Sequence, residues 1–185
     1  MLSKKLYRSP GIVVFFILSG CGFYLRGSQS LPASFKKISV SCNLPGTNLC
    51  HKISKIFLTQ GTKIQAGSPL SLRVKNYRTN RRAVALNSNA TAAEYEITHS
   101  LQFSLTYQLK GRSYTLINNK KIKAQESYQY KNSSVLGSSR EEAQIGPILD
   151  NRLSRQLIKR LSPFNQAKIH QEIQSYETQS RTKKP

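Results

Sequence analysis

Tyr95, Ile97, His99, Leu101, Phe103, Leu105, Tyr107 and Leu109 occupy every second position without a break. A period of two is that of a strand with one buried face, and a slip of one residue would turn the whole set toward solvent. Any fold for this chain must therefore cover one side of a long strand and leave the other side polar. Lys110-Gly111-Arg112 supplies a tight reversal, since glycine tolerates the positive φ that hairpin turns demand. The stretches 113–117 and 122–130 return alongside, with Ile122, Ala124, Tyr128 and Tyr130 in phase and Asn118-Asn119 placed for a bulge.

The flanking segments supply the cover. Lys36 to Cys42 alternates as a half-buried strand, and Asn48 can cap a helix bearing Leu49, Ile53, Ile56 and Phe57 on one face and ending at Gly61. Leu70, Leu72 and Val74 read as a strand with arginine and lysine on its other face, with a slip before Tyr77. Residues 78–92 read as a strand end and a polar loop. Ser139 and Glu142 form a capping box ahead of Ile145, Leu149, Leu153, Leu157 and Leu161, while Gly146-Pro147 should kink or delay that helix, leaving 148–161 as its firm part. These elements predict an α+β fold: two helices on one face of a four-stranded, mostly antiparallel sheet, an α/β sandwich. The domain runs over 36–162, and the polar stretch 163–185 reads as a disordered tail.

The amino terminus has the layout of an export signal. Lys4, Lys5 and Arg8 precede the seven apolar residues Ile12 to Leu18, too few to span a bilayer, and Ser19-Gly20-Cys21 follows as a small-residue junction. Leu18-Ser19-Gly20-Cys21 resembles the lipobox of bacterial lipoproteins, which implies a signal peptide over 1–20, lipidation of Cys21, and a spacer over 21–35. Gly22 stands where an aspartate retains many enterobacterial lipoproteins in the inner membrane, so the outer membrane is the expected address. Cys42 and Cys50 lie in a compartment that permits oxidation, as a disulfide or as two buried thiols. With 29 basic residues against 8 acidic ones, the formal charge of +21 calls for an anionic partner. Export and a lipid anchor argue against nucleic acid.

Catalytic and metal-binding patterns are poorly represented. Glu94 and Glu96 share a strand face, but on its polar side, where solvation explains them. His99 is in phase with the apolar residues and reads as a satisfied core histidine. Only His51 lies near the cysteine pair, and a closed metal site wants four ligands. No nucleophile elbow or phosphate loop occurs, so no enzyme, metal or cofactor is expected. Basic clusters remain: Arg78, Arg81 and Arg82; Lys120, Lys121 and Lys123; and Arg152, Arg155, Lys159 and Arg160.

Cys21-Gly22-Phe23-Tyr24-Leu25-Arg26-Gly27 is similar to the lipidated start of the LptE family of lipopolysaccharide-assembly lipoproteins. Ala93-Glu94-Tyr95 and the stretch from Asn151-Arg152 to Leu161 resemble that family's long strand and final helix, and the order of elements agrees. The resemblance implies a lipid-anchored protein on the periplasmic side of the outer membrane. It would plug the β-barrel LptD in a 1:1 complex, assist its assembly and bind lipopolysaccharide in transit. Family basic residues linked to lipopolysaccharide binding fall at Ser88 and Ser138 here, leaving Arg81, Arg82 and Arg140 as nearby candidates. The alternative is a lipid-anchored periplasmic module holding peptidoglycan or another anionic polymer.

Overall fold

The computed structural model describes residues 30–131 and 134–182. A short 3-10 turn at Ala33–Phe35 leads into β1 (Lys37–Cys42), α1 (Leu49–Thr59), β2 (Lys63–Ile64), β3 (Leu70–Leu86), β4 (Ala92–Leu109), β5 (Arg112–Gln129), α2 (Val135–Leu161) and α3 (Gln166–Thr182). The strands form one sheet in the order β2-β1-β3-β4-β5. Strand β1 is parallel to both its neighbours, whereas β3, β4 and β5 are antiparallel. The sheet is thus five-stranded and mixed, with three helices, where four mostly antiparallel strands and two helices were expected. Helix α1 is the reason: a helical crossover returns the chain to the end where β1 began, so the strands that follow on either side of β1 run in its direction.

The core lies on one face of the sheet. Ile38, Leu70, Leu72, Val74, Leu101, Phe103 and Leu105 from the strands meet Leu49, Ile53 and Phe57 of α1 and Leu149, Leu153, Leu157 and Leu161 of α2. None of these is more than 2% exposed. Burying each such side chain stabilises the fold by roughly 1.5–3 kcal/mol before entropy is counted. Helix α2 crosses β4 and β5, α1 packs against α2, and α3 rests on β5. Among the described residues no helix packs on the opposite face of the sheet.

Local chemistry fixes the ends of these elements. At the start of α1 the Leu49 amide donates to Thr47 Oγ1 at 3.2 Å, so the neighbouring threonine supplies the cap expected of Asn48. At its end the Gly61 and Thr62 amides donate to the Leu58 and Phe57 carbonyls, a Schellman motif that needs the left-handed φ of 77° at Gly61. Lys110 and Gly111 both have positive φ and close the β4–β5 hairpin as a two-residue turn. A disulfide joins Cys42, the last residue of β1, to Cys50 in the first turn of α1.

Five further expectations are corrected. Strand β3 does not stop near Tyr77 but continues to Leu86, because β4 is long enough to pair with it on both sides of the Lys75/Arg78 bulge. Helix α2 starts at Val135 and accommodates Pro147, with Ile145 and Leu149 buried on either side of it. Ser139 does not cap that helix; its hydroxyl donates to the Val135 carbonyl inside the first turns. The expected tail instead forms α3, held by the burial of Ile169 and Ile173, and the expected spacer already contributes Phe35 to the core.

Candidate functional site

The bulge that separates Lys75 from Arg78 in the β3–β4 register places Tyr77 on the core side of the sheet. There its hydroxyl donates to Asp150 Oδ1 of α2 at 2.9 Å. His99 Nδ1 of β4 lies 2.9 Å from the same oxygen and 2.7 Å from the phenol oxygen, so this nitrogen carries the proton. Thr47 donates to Asp150 Oδ2. Burial alone would raise the Asp150 pKa, but the hydrogen bonds from His99 and Tyr77 and the charges of His99 and Lys52 outweigh it and hold the carboxyl below 3.8. Burial, reinforced by Asp150, pushes Tyr77 up to about 12. His99 is thus a satisfied core histidine in a network that binds two strands to α2.

Toward the far end of the sheet, cations and rings replace aliphatic packing. The Arg81 guanidinium lies 3.5 Å from the Tyr95 ring centroid, donates twice to the Tyr128 hydroxyl, and faces Glu142 of α2 at 3.4 Å. Tyr128 in turn donates to Glu142. Burial would lower the Arg81 pKa, yet its contacts with Tyr128 and Glu142 hold it above the usual arginine value. Arg82 points to the other face and pairs with Glu96 at 2.9 Å, its own side chain 63% exposed. Arg140 is exposed on the first turns of α2.

The structure therefore brings Arg81, Arg82 and Arg140 to one end of the molecule but divides them between the two sides of the sheet. Arg81 is a clamp between β3 and α2. Ser138 is buried, its hydroxyl accepting from the Lys131 amide and donating to the Ser134 carbonyl, while Ser88 lies in the β3–β4 turn. Glu96 is committed to Arg82 and is no partner for Glu94 in acid–base work. Cys21 lies outside the described residues.

The uncovered face of the sheet adds cations that the candidate set had left out. Ser71, Arg73 and Lys75 of β3, Ser104, Thr106 and Gln108 of β4, and Ser113 and Thr115 of β5 project from it around a shallow concavity. The signal was the arginine and lysine at the polar positions of β3, where alternation with Leu70, Leu72 and Val74 already assigned them to the open side. Among the described residues no group of three or more His, Cys, Asp or Glu side chains is placed to hold a metal ion, and no helix is long and apolar enough to cross a membrane.

A mixed sheet with helices packed on one face is an architecture found in small bacterial lipoproteins of known structure. Solved structures share it: lipoprotein B from Nitrosomonas europaea (TM-score 0.61, 18% identity, 77% of this chain and 92% of that one) and a minor lipoprotein from Acinetobacter baumannii (TM-score 0.55, 22% identity, 70% and 92%). The rare lipoprotein B from Shewanella oneidensis is similar too (TM-score 0.53, 18% identity, 78% and 98%). No curated protein is significantly similar to the chain in sequence. The model of the family LptE, lipopolysaccharide-assembly, matches residues 36–161, from the eve of β1 to the end of α2, and the chain belongs to that family.

Proposed function

We propose that this chain is a non-catalytic lipoprotein of the outer membrane, anchored through Cys21 on the periplasmic side. It associates 1:1 with the β-barrel LptD, occupies its lumen and helps lipopolysaccharide reach the cell surface. The observation that carries the reading is the match to the lipopolysaccharide-assembly family from β1 to the end of α2. The physics is consistent with it. The lipid A end of lipopolysaccharide carries phosphates, and arginine and lysine side chains form strong charge-assisted hydrogen bonds with such groups. A domain with one polar, uncovered sheet face also suits the polar interior of a barrel. Arg82 and Arg140, exposed at one end of the molecule, are the family-derived candidates for contact with lipopolysaccharide, with Arg81 holding that end together.

The test is affinity purification of the native chain from its own membranes in mild detergent, with mass spectrometry of both the complex and the mature amino terminus. A stoichiometric large β-barrel and a triacylated Cys21 are expected. Recovery of peptidoglycan fragments without a barrel would overturn the reading in favour of a separate periplasmic binding module.

A further inference from the structure

The open face holds a basin of about 380 Å³, well away from the end that carries Arg81, Arg82 and Arg140. Arg73 and Lys75 stand on one side of it, Ser104 and Thr106 form its floor, and Asn118 and Asn119 close the other side. The rest of its lining is serine, threonine and glutamine, with no carboxylate. Some cations elsewhere are matched, Arg81 to Glu142, Arg82 to Glu96 and, from α2, Arg152 to Glu126, whereas Arg78, Lys120, Lys121 and Lys123 make no ion pair among the described residues. Arg73 and Lys75 make no ion pair among the described residues.

Two β-bulges bound the basin. One stands in β3 opposite Leu101, with Asn76 at φ 56°, and one in β5 opposite Ser104, with Asn119 at φ 41°. Bulges bend a strand and re-aim its side chains, and a left-handed asparagine costs energy that a flat ladder would avoid. In the second bulge the Asn119 amide donates to Ser104 Oγ, and that hydroxyl donates to Asn119 Oδ1, so the floor and the wall are tied together. The result is a concave surface combining two uncompensated cations with a ring of hydroxyl and amide groups that both donate and accept. An acyl chain finds no apolar wall there. A bare anion would leave most of the hydroxyl and amide groups unused.

We propose that this basin is a subsite for a phosphorylated sugar, the saccharide headgroup of a glycolipid, with Arg73 and Lys75 on the phosphate and the serine, threonine and asparagine side chains on the sugar hydroxyls. A guanidinium fork matches a phosphate bidentately, and the adjacent ammonium adds a second charge. The inference rests on the lipopolysaccharide reading above and names the part of that molecule this face takes.

The experiment titrates the full chain in detergent with deacylated, phosphorylated lipopolysaccharide core oligosaccharide, with the same oligosaccharide after phosphatase treatment, and with inorganic phosphate, followed by calorimetry. Binding of the phosphorylated oligosaccharide is expected to exceed that of either other probe by tenfold or more. It should fall at least tenfold in the double variant Arg73→Gln/Lys75→Gln and stay within twofold in the charge-matched variant Arg155→Gln/Lys159→Gln on exposed positions of α2. Equal loss in both double variants would reduce the effect to net charge and overturn the subsite, as would binding of phosphate alone at the strength of the oligosaccharide. Barrel co-purification with each variant separates the two readings. If Arg73→Gln/Lys75→Gln loses the barrel while sugar binding is unchanged, the face is a protein contact: the subsite falls and the lipopolysaccharide-assembly reading stands. Circular dichroism melts confirm that both double variants remain folded.

Discussion

The same three strands pass through two different kinds of packing. Near β1 they are covered by aliphatic side chains of α1 and α2, with Leu72, Leu105, Leu153 and Leu157 fully removed from water. Beyond Tyr77 β1 no longer runs beside β3, which is exposed on both faces over most of 78–86. What holds that end is a stacked set of polar and ring groups, with Arg81 between Tyr95 and Glu142 and with Tyr128 beneath. The first half gains stability from area removed from water, the second from a few directional contacts. Strength in the first is spread over many residues, whereas in the second it rests on one or two.

Substitutions at matched positions test that contrast. Leu153→Ala, at a site with no exposure, should cost about 3 kcal/mol in urea unfolding, because the cavity cannot refill. Leu86→Ala at the far tip, where the side chain is 63% exposed, should stay within about 0.5 kcal/mol. A larger loss at Leu86 than at Leu153 would reverse the comparison.

Removing the disulfide with Cys42→Ser/Cys50→Ser should cost roughly 2.5 kcal/mol in the chain-entropy picture of a short closed loop. Because the bridge joins β1 to α1, hydrogen exchange should quicken first in those two elements and leave the β4–β5 hairpin near Tyr95 unchanged.

The junction between the halves is the Tyr77–His99–Asp150 network, and it makes stability depend on pH. Asp150 titrates below its ordinary value when folded, so its contribution is present in full above about pH 3.8 and is lost as pH falls through the lowered folded value. Asp150→Asn should cost about 1.5–2 kcal/mol at neutral pH, the scale of hydrogen bonds to a charged group. The gap to the wild type should narrow steadily below pH 4. Tyr77 acts at the other limit: its folded pKa is raised to about 12, so its share persists below pH 10 and disappears as pH climbs toward 12. A wild-type/Asp150→Asn difference that stays constant down to pH 2 would remove the network from the account.

A modest effect belongs to the clamp. Arg81→Ala should lose about 1 kcal/mol through its ring and carboxylate contacts, and Arg82→Ala, largely in water, no more than about 0.5 kcal/mol. Equal costs would mean that the ring contacts add nothing at this end.

Where one face is buried and the other wet, residue order is enough to find an element. This is why the run from Tyr95 to Leu109 and the leucines at fours from Leu149 to Leu161 were legible as β4 and the core stripe of α2. The same logic hides what has no buried face. Strand β2 is two exposed residues whose pairing with β1 leaves no pattern, and the far part of β3 is wet on both sides. Helix α3 escaped notice because only Ile169 and Ile173 of a polar segment reach the core. The candidate cations were found as types, but their engagement was not. That Arg81 is bound to Glu142 and Arg73 is not depends on contacts between residues far apart in the chain.

The chain enters its fold at the end of the sheet where β1 and β3 begin, level with the Lys110-Gly111 turn, and Ser34 fastens that entrance to the Phe164 carbonyl at 2.6 Å. Arg82 sits about a dozen residues farther along β3, roughly 40 Å away at the rise of an extended strand. Measured from that entrance, strand length becomes a yardstick for how far out the charge of Arg82 stands. Inserting one residue pair into both β3 and β4 beyond the Tyr77 bulge would shift Arg82 outward by about 7 Å while leaving its sidedness unchanged.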